Sequence, residues 1–106
     1  MDIIVDLGRA EDKNSMISRF IDALGLPAGP KSNWDSFYDD IRSLHTQSSV
    51  VIKKKPRSIH LIIKNSKHIE DEARAEYQNL LEVLTAATDK DQRYDDLVFS
   101  FELIKI

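Results

Sequence analysis

The sequence contains no cysteine, which excludes disulfide bonds and thiolate chemistry. Its 106 residues include only three glycines and three prolines, so collagen-like and low-complexity compositions are also excluded. No apolar run approaches the roughly 20 residues that span a bilayer. The first residues carry Asp2 rather than the basic start of a secretory signal. We therefore expect one cytoplasmic domain over residues 1–106 that makes no contact with membranes.

The charge balance argues against generic binding to nucleic acids. Lys and Arg number 15 against 18 Asp and Glu, a net charge of −3, so a basic partner is more plausible than a polyanion. The run Lys53, Lys54, Lys55 and Arg57 invites a nucleic-acid hypothesis, because clustered cations displace counterions from phosphates. No aromatic residue is interleaved in this run, and we favour a solvated, mostly exposed connection over residues 46–57.

Three apolar segments predict β-strands, at residues 2–7, 59–63 and 97–104. Helical patterns separate them, and right-handed crossovers between parallel strands are the most economical topology. The middle segment is apolar on both faces of its pleat, which predicts a central strand in a sheet covered on both sides. The last segment alternates only in part, as expected for an edge strand.

Helical spacing of apolar residues appears at residues 13–24, after Asn33, and at residues 73–87. In the second of these helices Trp34, Phe37, Ile41 and Leu44 recur every three or four residues and form one apolar stripe. Asn33 stands at the expected N-cap position. The third helix is preceded by an acidic stretch, residues 70–72, which complements the positive end of its dipole.

Catalytic machinery is hard to find in the sequence. It has no Gly-rich phosphate loop and no Gly-flanked serine. The three histidines His45, His60 and His68 lack the i, i+4 spacing of a helical zinc site, and we expect surface or packing roles for them. We expect no catalytic residue, no metal and no cofactor. A small hydrolase using two aspartates of the second helix as acid and base remains a remote alternative.

Those two aspartates, Asp35 and Asp39, are the most informative polar residues. A spacing of four places them about 40 degrees apart around the helix axis, on the side away from the apolar stripe. Like charges at this spacing cost a few tenths of a kcal/mol. One interpretation is a solvated face on which Arg42 offsets the repulsion. The other is an anionic contact face, with Tyr38 on its flank as an aromatic anchor.

Residues 24–27, Leu-Gly-Leu-Pro, and residues 33–41, Asn-Trp-Asp-Ser-Phe-Tyr-Asp-Asp-Ile, resemble the signature of the barstar family of ribonuclease inhibitors. The order of strands and helices along the rest of the chain agrees with that family. The resemblance implies an α/β fold, with a three-stranded parallel sheet flanked by helices as three layers or as an open two-layer arrangement. It also implies a non-enzymatic inhibitor or immunity protein, monomeric when free, that neutralises a small basic ribonuclease or toxin domain.

In that family the loop before the Asn and the exposed face of the next helix enter the phosphate-binding cleft of the nuclease. Carried over residue by residue, the resemblance implies a partner-binding set of Gly29, Lys31, Asn33, Trp34, Asp35, Tyr38 and Asp39. Asp35 and Asp39 would make the acidic contacts, and Asn33 and Trp34 would support the loop. Lys31 places a positive charge where a basic nuclease would dock. A barstar-like module that binds another protein without inhibiting a nuclease is the alternative.

Overall fold

Helices separate the three strands in the computed structural model, which describes residues 1–26, 33–44 and 56–105. We number the elements in chain order, and a short 3₁₀ turn, Lys90–Gln92, precedes the last strand. The elements are β1 (Asp2–Asp6), α1 (Lys13–Leu24), α2 (Trp34–Arg42), β2 (Ser58–Lys64), α3 (Lys67–Glu72), α4 (Arg74–Thr88) and β3 (Val98–Ile104).

The strands form one parallel sheet in the order β1-β2-β3. Ile3 lies opposite Leu61, and Leu61 lies opposite Phe101, so these three side chains share one face. The predicted parallel topology is confirmed, with β2 in the centre and β3 at an edge.

Helices cover one face of this sheet. On that face, strand residues such as Val5, Leu61 and Ile63 are at most 1% exposed. On the other face Ile4 is 55% and Val98 is 66% exposed. Among the residues described, the sheet is therefore an open two-layer arrangement, and the prediction of cover on both sides was wrong. A β-branched residue such as Ile62 suits any half-buried pleated surface, so its presence in β2 did not distinguish the two cases.

Local chemistry explains where α1 begins and ends. The Asp12 carboxylate accepts a hydrogen bond from the Ser15 backbone N–H at 2.8 Å and so caps the helix. Gly25 ends it in the left-handed conformation, with φ 65°, which favours glycine. Phe20 of α1 meets Phe37 of α2 edge to face at 5.2 Å between ring centroids, which joins the two helices within the core.

The third predicted helix, residues 73–87, is confirmed as α4, and a short helix that was not predicted, α3, precedes it. The acidic residues 70–72 are the last residues of α3. Ala73 separates α3 from α4, because its backbone is not helical, with φ −132° and ψ 54°. No glycine or proline marks this break in the sequence. The Lys105 ammonium donates to Glu70 at 3.1 Å and ties α3 to the end of β3. This contact lowers the pKa of Glu70, since it favours the charged carboxylate.

Two other expectations fall on parts of the chain outside the described residues. The first is the connection over residues 46–57, of which only Pro56 and Arg57 are described. Arg57 is exposed, as expected. Its carbonyl accepts a hydrogen bond from the Val98 N–H at 3.0 Å. The second is the loop that contains Gly29 and Lys31. Within the described ranges no helix has both the length and the apolar character needed to cross a membrane.

Candidate protein-binding surface

The start of α2 is fixed by two side chains of the predicted set. The Asn33 side-chain oxygen accepts from the Ser36 N–H at 2.8 Å, which confirms the predicted N-cap. The Trp34 indole N–H donates to a Glu76 carboxylate oxygen at 2.7 Å, and its ring packs edge to face on Phe37. Trp34 therefore anchors α2 to α4 at the rim of the core.

The rest of α2 has the two faces that its sequence predicts. Phe37, Ile41 and Leu44 are at most 1% exposed. Asp35 and Asp39 both lie exposed on the other side, and the Asp39 side chain retains 65% of its accessible surface. The helix thus presents two carboxylates to solvent on a backbone that the core holds in place.

Arg42 pairs with one of these carboxylates. Its Nη2 lies 2.6 Å from Asp39 Oδ1, an i, i+3 contact that offsets the repulsion between Asp35 and Asp39 in the way the solvated-face interpretation predicts. The Arg42 side chain is only 17% exposed. Partial burial works to lower its pKa, but the hydrogen bond that Arg42 donates to Asp39, together with the nearby Tyr94 and Tyr38, outweighs this effect and raises the pKa of Arg42. Arg42 therefore keeps its positive charge, and the Asp39 carboxylate stays accessible.

Two tyrosine rings enclose the Arg42 guanidinium. Its central carbon lies 4.3 Å from the ring centroid of Tyr38 and 4.3 Å from that of Tyr94, within cation–π range on both sides. Arg42 Nη2 also donates to the Tyr94 hydroxyl oxygen at 2.5 Å. Tyr38 is half-buried on the flank of α2, as predicted, and its hydroxyl donates to the Gln92 side-chain oxygen at 2.9 Å.

The two neighbours of Tyr94 in the sequence, Arg93 and Asp95, form a buried ion pair with each other. Arg93 Nε lies 2.8 Å from Asp95 Oδ1, with the two side chains 1% and 4% exposed. Arg93 Nη1 also donates to the Ala87 carbonyl at 3.1 Å, and the Tyr94 N–H donates to the Arg42 carbonyl at 3.0 Å. Residues 93–95 are thereby fixed to both α4 and α2.

Sequence reasoning missed Tyr94 and Gln92 as part of this surface. Tyr94 is 52 residues away from Arg42, and no local periodicity links the two. The available signal is weak: Tyr94 is the single aromatic residue within the polar stretch of residues 88–96.

The histidines build no active site in the described residues. His60 lies between Ser100, 2.7 Å from Nδ1, and Glu102, 3.2 Å from Nε2. The His60 and Glu102 side chains are 35% and 54% exposed on the open face of the sheet, so this array is a cross-strand contact and not a cleft. His68 Nε2 lies 2.9 Å from the Ala10 carbonyl. No group of three potential metal ligands occurs in the described ranges, and His45 lies outside them.

A comparison with protein-family models agrees with this geometry. The family model described as "Barstar (barnase inhibitor)" matches residues 1–102. The chain belongs to the barstar family. No curated protein and no solved structure matches the chain significantly. The description of this family names an inhibitor of barnase.

The role of Asn33 can be tested without a partner. Asn33→Ala removes the oxygen that accepts from the Ser36 N–H, and we expect the free energy of unfolding to fall by about 1 kcal/mol. Asn33→Asp keeps an N-cap acceptor and should restore stability. Urea unfolding followed by circular dichroism measures both. An alanine variant as stable as the wild type would show that this cap does not stabilise α2.

Proposed function

We propose that this barstar-family chain binds and blocks a small basic ribonuclease, or the ribonuclease domain of a toxin, in the cell that makes both proteins. One observation carries the proposal: Asp35 and Asp39 lie exposed on the solvent face of a helix whose opposite face is buried. The family description, which names an inhibitor of barnase, supports the same role.

The chemistry of the target explains why two carboxylates would suffice as a mimic. A ribonuclease cleft that binds RNA phosphates is lined by Arg and Lys, which form short charge-assisted hydrogen bonds to anionic oxygens. Carboxylates on one rigid face can occupy these donors in place of phosphates. Opposite potentials also accelerate the encounter of the two proteins. Because the core fixes α2, little conformational entropy is lost when its face docks.

The Arg42 contact favours a second candidate. Asp39 Oδ1 already accepts from Arg42, so part of the acidic face is neutralised within the chain. A barstar-like module that binds another basic protein without blocking catalysis would tolerate this better than a tight inhibitor. We keep inhibition as the leading proposal, since the Asp39 side chain is still 65% exposed.

Titration of ribonuclease activity distinguishes the two. Cleavage of a fluorogenic RNA substrate would be followed while the chain is added to barnase, and to the small basic ribonucleases purified from the cell that makes the chain. We expect stoichiometric loss of hydrolysis for at least one of these enzymes. Full activity of every enzyme at a large excess of the chain would contradict inhibition. Binding without loss of activity would support the second candidate.

A further inference from the structure

Tyr94 is a large, exposed side chain at the end of the acidic face. It is 65% exposed, whereas Phe20 and Phe37 are at most 1% exposed. Its hydroxyl oxygen and Asp39 Oδ1 both contact the same nitrogen of Arg42, at 2.5 and 2.6 Å, so the ring and the carboxylate are immediate neighbours. Tyrosine is enriched in protein interfaces and among the residues that contribute most of their binding energy.

Tyr94 is also held in position before any partner arrives. One side of its ring covers the Arg42 guanidinium, its backbone N–H donates to the Arg42 carbonyl, and the buried Arg93–Asp95 pair fixes the residues on both sides. A side chain ordered in the free protein loses little entropy when it is covered, and this makes it an efficient anchor.

The charge around Tyr94 matches a basic partner. The residues that precede and follow it include the exposed acids Asp89, Asp91 and Asp96, against one exposed cation, Lys90. The cation beneath the ring is not presented to a partner, because Arg42 is paired with Asp39 and lies between two rings. An incoming Arg or Lys therefore meets an aromatic face bordered by carboxylates, which favours both stacking and ion pairing.

From these observations we infer that the nuclease-binding surface continues from α2 onto residues 89–96, with Tyr94 as the aromatic anchor that a basic side chain of the nuclease covers. This inference rests on the proposed function and adds a contact that α2 alone does not supply. The 3₁₀ turn shares in it, since Gln92 accepts from the Tyr38 hydroxyl and joins the two parts of the surface.

Substitution of Tyr94 tests the inference with the nuclease that the wild-type chain inhibits. For Tyr94→Ala we expect the Kd to rise by about 30-fold or more, the usual threshold of a hot spot. Tyr94→Phe keeps the ring over Arg42 and should bind within about threefold of wild type, since the ring supplies most of an aromatic anchor's contact area. Ile4→Ala is the matched control, because Ile4 is 55% exposed on the open face of the sheet and should not affect binding.

Chemical labelling gives a second readout that does not depend on a variant that folds well. The chain has three tyrosines, of which Tyr77 is 5% and Tyr94 is 65% exposed. Tetranitromethane should nitrate Tyr94 readily in the free chain, and complex formation should protect it, as measured by mass spectrometry of the peptides.

The outcomes separate the two proposals. If the wild-type chain inhibits a nuclease but Tyr94→Ala binds normally and Tyr94 is nitrated equally in the complex, the extension onto residues 89–96 is wrong and the proposed function stands. If the wild-type chain inhibits none of the enzymes tested, both are wrong. Loss of affinity in Tyr94→Ala together with protection of Tyr94 supports the extension.

Discussion

Asp39→Ala is expected to weaken binding to the inhibited ribonuclease by about 2–5 kcal/mol, the cost of removing one partner from a buried, hydrogen-bonded charge pair. That range draws in part on complexes of this same family. The free chain should lose only about 1 kcal/mol, because Asp39 is 65% exposed and Arg42, which is 17% exposed, keeps its contacts with Tyr38 and Tyr94. Affinity would be measured by inhibition kinetics and stability by urea unfolding.

Glu102→Ala is the matched control for this variant. Glu102 is also an exposed acid, 54% accessible, with a partner on the same chain, His60 at 3.2 Å, but it lies on the open face of the sheet. Both substitutions change the net charge equally, so a purely global electrostatic effect would weaken binding equally in the two variants. We expect Glu102→Ala to bind within about threefold of wild type, since a charge outside the interface acts mainly through long-range steering, which salt screens. Equal losses would show that α2 makes no specific contact.

Asp95→Ala is expected to lower the free energy of unfolding by about 3–5 kcal/mol, because it leaves the buried Arg93 guanidinium without its counter-ion. The Arg93 side chain is 1% exposed, and its other contacts are the Ala87 carbonyl and the Phe99 ring, 5.2 Å away. Asp95 also accepts from the Leu97 N–H at 3.1 Å, a bond lost at the same time. Urea unfolding of the free chain measures the effect.

A second variant separates loss of charge balance from loss of packing. The double variant Arg93→Met, Asp95→Ala no longer contains the unpaired cation. Its free energy of unfolding should be higher than that of Asp95→Ala, because apolar replacement of a buried ion pair is often neutral. Asp96→Ala, at the exposed neighbouring position, should change stability by less than about 0.5 kcal/mol. A loss below 1 kcal/mol in Asp95→Ala would contradict a stabilising role for the pair.

Periodicity alone was enough to predict both faces of α2. Phe37 and Ile41 recur at helical spacing, so the outward direction of Asp35 and Asp39 followed from helix geometry. The parallel order of the strands likewise followed from the helices between them. These features depend on residues close together in the sequence, where local spacing carries the information.

What could not be predicted depends on contacts between distant residues. The stack of Tyr38, Arg42 and Tyr94 forms only when the chain after α4 returns to α2. The open face of the sheet could not be seen from Ile62, because β-branched residues favour strands whether or not a helix covers them. The short helix α3, which ends at Ala73, was missed because its six residues are too few to show an apolar period.

The dependence of the association rate on salt concentration tests whether the chain docks through the carboxylates of α2. Stopped-flow mixing of the chain with the ribonuclease it inhibits would give the rate constant at ionic strengths from about 0.01 to 1 M, where the Debye length falls from about 30 to 3 Å. We predict a steep fall for the wild-type chain and a much shallower one for the double variant Asp35→Asn, Asp39→Asn. A wild-type rate that does not respond to salt, or a double variant with the same slope as the wild type, would contradict docking through these carboxylates.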